Sequence, residues 1–356
     1  MAETQVLPAK IRHYRRLAKK IVQHHFGQPP SRIVYKRTGL SNYVFVINHV
    51  EGQFVVRISP DTEKIAAFTK ELWATQKVRE VGVPSPEVLV VGNIGSEPYM
   101  VTRRVTGAEA THHPRRKHIV HEMGRYARTI NSVRTTSFGV NFDWTANGPK
   151  NNTWAEYLDG EWQVERRLRV FTQHQILSDQ QVEKLKEIVD DSRGMRDEAS
   201  LNHGDMRFKN VIVDDDGEIA AIVDWEDCLS TIAPQWELSI ALHDLSIDEK
   251  HLFLEGYGLE SKQVEEMSPL IKAFNVINYS HAVEHAVATG DHKSLAEFRL
   301  RLNGGLDLYS LPQSDARVFD VTPDPPDYER KAGDPDKKVE PVEPRFQRVI
   351  LVPLLP

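Results

Sequence analysis

One stretch of this sequence concentrates residue types that can do chemistry: His203-Gly204-Asp205-Met206-Arg207-Phe208-Lys209-Asn210. An apolar run follows, Val211-Ile212-Val213, then an acidic turn, Asp214-Asp215-Asp216-Gly217, and a second apolar run from Ile219 to Val223. Turn residues between two apolar runs read as a hairpin. The hairpin returns Asp224 to the side of the loop that holds Asp205 and Asn210. Two carboxylates and an amide oxygen then share one mouth. Hard oxygen ligands of this kind suit Mg²⁺, which takes few protein ligands and shares its other positions with phosphates and water. Phosphoryl transfer asks for charge neutralisation, in-line positioning and a destination for the hydroxyl proton. Asp205 is the expected proton acceptor, and Asn210 and Asp224 are the expected metal ligands.

The elements that must position these groups are legible around them. Residues 10–26 have the spacing of an amphipathic helix, with Ile11, Tyr14, Leu17, Ala18 and Ile21 on one side. Short β-branched and aromatic runs at 33–35, 43–47 and 54–58 predict strands, separated by turn residues. A helix is predicted over 61–81, stopped by Gly82 and Pro84, and two further strands near 87–91 and 99–101. After Gly107 the chain reads as mostly helical apart from the hairpin at 211–224. Thr153 with Glu156 three residues on is a capping signature. Further helices are expected over 181–190, 235–246, 249–257 and 264–288. Nine of the 20 prolines fall between Pro312 and Pro356, which reads as an extended tail.

The run from His203 to Asn210, with Asp224-Trp225-Glu226 after the hairpin, resembles the aminoglycoside phosphotransferase family, a relative of choline kinases and protein kinases. The likeness continues through Pro234-Gln235-Trp236-Glu237-Leu238 and upstream to residue 30 or so. It implies an α+β, two-lobed, protein-kinase-like fold. A small N-terminal lobe would span 1–105, a larger, mainly helical catalytic lobe 106–311, and the proline-rich tail 312–356. Gly39 to Ile47 is similar to the family's nucleotide-positioning hairpin, which implies roles for Ser41 and Asn42. Arg57 stands where the family presents a cation to the phosphates, and Glu71 where it places that cation's partner. Pro98 to Arg104 is similar to the hinge strand, so adenine is expected against the backbone from Arg103 to Val105. Arg207 follows the catalytic aspartate by two and is expected near the transferring phosphate. Glu226 is implied as a further metal ligand.

The implied cofactors are ATP, with GTP as the alternative, and Mg²⁺. The implied acceptor is a hydroxyl-bearing small molecule, an aminoglycoside-type antibiotic. Alternatives are a metabolic kinase for choline, an amino sugar or homoserine, and a nucleotide-binding pseudokinase. The intact Asp205, Asn210 and Asp224 argue against the last. A polycationic acceptor would suit Glu156, Asp159, Glu161, Glu165, Asp227 and Glu237 if they face the cleft; otherwise they are solvated surface balanced by Arg166, Arg167 and Arg169. The net charge of −6 excludes a general attraction to nucleic acid. No stretch approaches the ~20 apolar residues that span a bilayer. The single cysteine, Cys228, excludes an intrachain disulfide and fits a reducing, cytoplasmic setting. His281-Ala282-Val283-Glu284-His285 matches a short zinc-protease pattern, set aside because no third ligand is evident.

Overall fold

The computed structural model describes residues 8–36, 42–145, 148, 150–195 and 198–310, with side chains through residue 303. Ser41 and the tail 312–356 lie outside the described residues.

The chain opens with α1 (Ala9–Phe26), which ends at Gly27 in the left-handed region (φ 72°). Strands β1 (Arg32–Lys36), β2 (Tyr43–His49) and β3 (Gly52–Ile58) come next. They are followed by α2 (Lys64–Glu80), β4 (Val88–Ile94) and β5 (Glu97–Arg103). The strands form one antiparallel sheet in the order β1-β2-β3-β5-β4. Alternation sets its buried face: Phe45 and Ile47 on β2, Phe54, Val56 and Ile58 on β3, with Tyr99 and Val101 on β5. Tyr14, Ala18, Ile21 and Val22 of α1 cover that face. Helix α2 lies elsewhere. Its Ala74 and Val78 belong to the core that continues into the C-terminal lobe.

That lobe contains β6 (Ala108–Glu109), α3 (Arg116–Asn131), the single turn α4 (Trp154–Glu156), α5 (Val164–Gln173) and α6 (Asp179–Ser192). Then come β7 (Ser200–Asn202), β8 (Val211–Val213), β9 (Ile219–Ile222) and β10 (Leu229–Thr231). It closes with α7 (Gln235–Ala241), α8 (Ile247–Tyr257), α9 (Ser261–Asn278), α10 (Ser280–Thr289) and α11 (His292–Ser310). Capping boxes start α4 at Thr153, α6 at Ser178 and α8 at Ser246. Helices α3 and α8 meet through glycine. A Cβ on Gly124 would stand 2.0 Å from the Phe253 carbonyl oxygen, and one on Gly256 1.9 Å from that of His121. A second core gathers Trp154, Tyr157, Trp162, Trp236 and Phe274 in edge-to-face contacts.

The architecture is the expected α+β arrangement, with differences in detail. The helix expected over 235–246 stops at Ala241. The one expected over 264–288 breaks at Tyr279, whose N–H bonds Val276 in a tight turn, so α10 leaves in a new direction. After Thr153 the α-helix lasts one turn and widens into a π-turn at Tyr157–Glu161. Strands β7 and β10 pair in a small sheet that the sequence did not reveal, because three buried residues carry no period.

Candidate active site

Strand β7 feeds a loop through Gly204, whose φ of 78° only glycine adopts freely, and where a Cβ would sit 2.3 Å from the Asp227 carbonyl oxygen. His203 stitches this loop to the hairpin. Its Nδ1 accepts the Asp205 N–H at 3.2 Å, so its Nε2 carries the proton and donates to the Val223 carbonyl at 3.1 Å. Burial pushes its pKa down to about 4, so the ring is neutral. Below the loop Glu237 of α7 accepts the His203 N–H at 2.6 Å. Burial raises that carboxyl to about 7.

Asp205 is thereby held with its carboxylate at the cleft, and cations meet both of its oxygens. Arg207 Nε lies 2.8 Å from Oδ1 and Lys209 Nζ 2.7 Å from Oδ2. Asn210 Nδ2 donates to Oδ2 and to the Asp205 carbonyl, each at 2.9 Å. Both recorded bonds of Asn210 come from its nitrogen, which leaves its amide oxygen as the acceptor end. The Val223 N–H donates to the Asn210 carbonyl at 2.9 Å and so draws the hairpin's return strand against the loop. Asp224 follows in the left-handed region at φ 69°, which turns its side chain out of the strand's alternation. The structure thus joins Asp205 and Asn210 by a side-chain hydrogen bond and sets Asp224 directly after Val223, the residue that holds the Asn210 carbonyl.

Across the cleft, Arg57 of β3 forms an ion pair with Glu71 of α2, as expected. Their charges act on Asp224, whose pKa rises to about 7 through burial first, then the Glu226 charge, with Arg57 opposing and Glu71 adding. Asp227 rises to about 6, also chiefly through burial and then Glu226. Lys64, at the start of α2 and itself buried, holds Glu226 Oε2 at 2.8 Å, so a cation from the protein already answers that carboxylate. Nothing in the spacing of Lys64 or Asp244 marked them, because each acquires its partner only through the fold, while Lys209 pairs with Asp205 only four residues away.

On the nucleotide side, Asn42 opens β2 with its Oδ1 buried and without a hydrogen-bond partner among the described residues. The Arg103 side chain is half-exposed, bonds Glu87 at 2.9 Å and lies over the Phe54 ring. The Arg103 and Arg104 amides are also engaged, with the carbonyls of Glu87 and Gln53. The Val105 amide has no recorded partner among the described residues.

The acidic residues considered for a polycation are mostly committed elsewhere. Glu156 closes its capping box, Asp159 meets Arg193 at 2.8 Å, and Glu161 accepts the Val140 N–H at 2.7 Å and an Asn151 N–H at 3.1 Å. Glu237 lies under the loop. Glu284 of the zinc-like pattern turns to Arg166 at 2.6 Å.

The donor set fits a magnesium ion. Asn210 offers an amide oxygen, and Asp224 is a buried carboxyl whose neighbours Glu226, Glu71 and Asp227 all disfavour its negative charge. Such a group is relieved by a divalent cation beside it.

Residues 37–269, more than half of the chain, match the model of the phosphotransferase enzyme family. A search of curated proteins gives no match. Among solved structures, a thermostable mutant of the aminoglycoside phosphotransferase APH(4)-Ia, in ternary complex with AMP-PNP and hygromycin B, superposes with a TM-score of 0.62 at 17% identity. It covers 83% of this chain and 99% of its own. A putative fructosamine-3-kinase from Haemophilus somnus 129PT gives 0.55 at 14% identity, over 82% of this chain and 96% of its own. An aminoglycoside phosphotransferase complexed with GDP and kanamycin gives 0.56 at 15% identity, over 82% and 99%. These likenesses establish the two-lobed, kinase-like fold, and with the family match over the catalytic loop the chain belongs to the phosphotransferase enzyme family, transferring a phosphoryl group to a hydroxyl.

Proposed function

We propose that the protein is an ATP-dependent phosphotransferase acting on a hydroxyl of a small molecule in the cytoplasm. The observation that carries this reading is the Asp205–Asn210 pair on the loop, joined through Val223 to the strand that ends at Asp224, whose carboxyl feels the charges of the Arg57–Glu71 pair. Residues 1–105 would hold the nucleotide and 106–311 the acceptor. Arg57, fixed by Glu71, would face the phosphates, and Asn42 and the free Val105 amide would serve the nucleotide. Asn210 and Asp224 would hold Mg²⁺, which neutralises the phosphate charge. Glu226, which pairs with Lys64 through Oε2, would be a further ligand through its other oxygen. Asp205 takes the proton of the acceptor hydroxyl as the oxygen–phosphorus bond forms and the bond to the nucleotide's leaving phosphate oxygen breaks. Arg207 and Lys209, released from the carboxylate, would meet the transferring phosphoryl group.

The acceptor reading needs separate support. Hygromycin B and kanamycin occupy relatives of this fold, which favours an aminoglycoside-type antibiotic. The commitment of Glu156, Asp159, Glu161 and Glu237 to internal partners weakens the electrostatic case for any polycation here. The test is ATP consumption, with Mg²⁺, over a panel of aminoglycosides, amino alcohols, sugars and hydroxy acids. ATP binding with turnover of one class supports the proposal. Failure of the full chain to bind ATP would refute it.

A further inference from the structure

Beside the catalytic loop, four elements bring polar side chains together. Arg207 comes from the loop, His243 and Asp244 from the turn after α7, Tyr279 from the break between α9 and α10, and Arg301 from α11. Arg207, which touches Asp205, reaches Asp244 at 3.5 Å, and His243 Nε2 lies 3.6 Å from Asp244. Tyr279 Oη stands 2.6 Å from His243 Nε2 and 2.7 Å from Arg301 Nη1. The cluster thus begins at Asp205 and runs to a helix near the end of the described chain.

The hydrogens can be assigned by elimination. Asn275 Nδ2 donates to the Ser239 carbonyl at 2.7 Å, which fixes its amide, and its second hydrogen meets His243 Nδ1 at 3.1 Å. Nδ1 is therefore the acceptor and Nε2 carries the proton. Burial lowers the His243 pKa, in agreement with a neutral ring. Arg301 Nη1 also lies 3.2 Å from His243 Nε2, and the Tyr279 oxygen then accepts twice, from His243 Nε2–H and from Arg301. Its own proton is left to donate, and no acceptor for it is recorded among the described residues. The donors of the cluster are the hydroxyl of the buried Tyr279 and the remaining N–H groups of Arg207 and Arg301. Arg207, Arg301 and Lys250 all act on His243 as cations, with the half-exposed Asp244 opposing them, and Arg207 is also paired with Asp205.

Directed donors on guanidinium and hydroxyl groups, held by a rigid backing, are what an oxyanion requires. We propose that Arg207, Tyr279 and Arg301 form an oxyanion subsite on the acceptor side of the cleft. A carboxylate, sulfate or phosphate group carried by the acceptor docks there, with its hydroxyl toward Asp205. This rests on the phosphotransferase reading for the role of the subsite and departs from it on the acceptor's charge. His243 and Asn275 are positioning residues. They hold the Tyr279 oxygen so that its proton is left to donate.

The probes are inorganic sulfate and acetate, titrated by calorimetry into the full chain saturated with ADP and Mg²⁺. The ADP titration is read separately and reports on the nucleotide site. Wild type should bind one of the two anions, and which one distinguishes a sulfate- or phosphate-like group from a carboxylate. Arg301→Gln should weaken that binding about tenfold, and Tyr279→Phe by a smaller factor, with ADP affinity unchanged in both as evidence of folding. With an acceptor that turns over, Arg301→Gln should raise KM and leave kcat within about twofold. Anion binding that is absent, or equal in wild type and Arg301→Gln, overturns the subsite. So does turnover confined to polycations. Failure of ADP to bind would sink the phosphotransferase reading, while the sulfate and acetate arms would still report on the cluster.

Discussion

At the residue scale, Asp205 is restrained from three directions, by Arg207, Lys209 and Asn210. Its removal separates chemistry from binding, because none of these contacts involves Arg57 or Glu71. Asp205→Asn is expected to lower turnover about 10²–10⁴-fold while nucleotide affinity, measured by calorimetry, stays nearly unchanged. Near-normal turnover would remove it from the base role. Glu237 gives a second test, in stability. Its pKa is raised to about 7 in the folded chain, above the ordinary 4.5, so the folded state holds that proton more tightly than the unfolded one. The contribution is complete below about pH 4.5 and is lost as pH rises through 7, to the order of 3 kcal/mol. Glu237→Gln keeps an oxygen for the His203 N–H without the charge. Relative to wild type it should gain stability between pH 5 and 8 in thermal melts. Parallel profiles would show that Glu237 does not titrate in this range. Asp205, Asn210 and Asp224 were legible as positions because a loop and a hairpin carry them at fixed spacing, whereas Arg57 and Glu71 were marked only by the family resemblance. Glu226 was legible as a position but not as a partner of Lys64, 162 residues away in the chain. The His243–Tyr279–Arg301 cluster was invisible for the same reason: its members meet only when three helices close.

At the element scale, the sheet was readable because alternation of buried and exposed side chains is a local signal, and β2 and β3 keep it along their length. The hairpin of β8 and β9 was readable from its turn, where the Gly217 N–H bonds the Asp214 carbonyl at 3.0 Å. The order of the C-terminal helices was not, because it depends on which faces meet. The crossing of α3 and α8 is a case of this. It depends on two residues without side chains, each against a carbonyl of the other helix. Gly256→Ala would force the helices apart or displace the His121 carbonyl from its ladder. The expected cost is about 3 kcal/mol or more, read as a fall in the denaturant midpoint with an unchanged slope. A change below about 0.5 kcal/mol would mean that the crossing has slack. The functional consequence follows from position. Tyr257 of α8 donates to Asn131 at 2.8 Å, and Asn131 donates to the Leu201 carbonyl of β7 at 2.9 Å, the strand that delivers Asp205.

At the scale of the whole molecule, the two lobes are joined by more than the chain segment after β5. The Ile222 N–H donates to the Pro84 carbonyl at 2.8 Å, tying β9 to the loop after α2. Ala74 and Val78 of α2 share a core with Trp225. The ion pair of Lys64 with Glu226 closes the same seam, with both side chains largely shielded from water. Helix α2 is therefore fixed at its start by Glu226, in its middle by Arg57 through Glu71, and toward its end by apolar packing. A shift of α2 would move Glu71, then Arg57, then the charge facing Asp224. Breaking one partner of a buried ion pair strands the other, whereas removing both leaves only a packing change. Lys64→Met and Glu226→Gln should each cost about 3 kcal/mol in urea denaturation. The double variant should cost less than the sum, with a coupling of at least ~1 kcal/mol. Each single variant should also weaken nucleotide binding, since the stranded charge lies beside the position assigned to the phosphates. Strictly additive losses would show that Lys64 and Glu226 do not act on one another across the cleft. Both Glu226 oxygens would then be free for the metal, and Mg²⁺ affinity in Glu226→Gln would fall while that of Lys64→Met held.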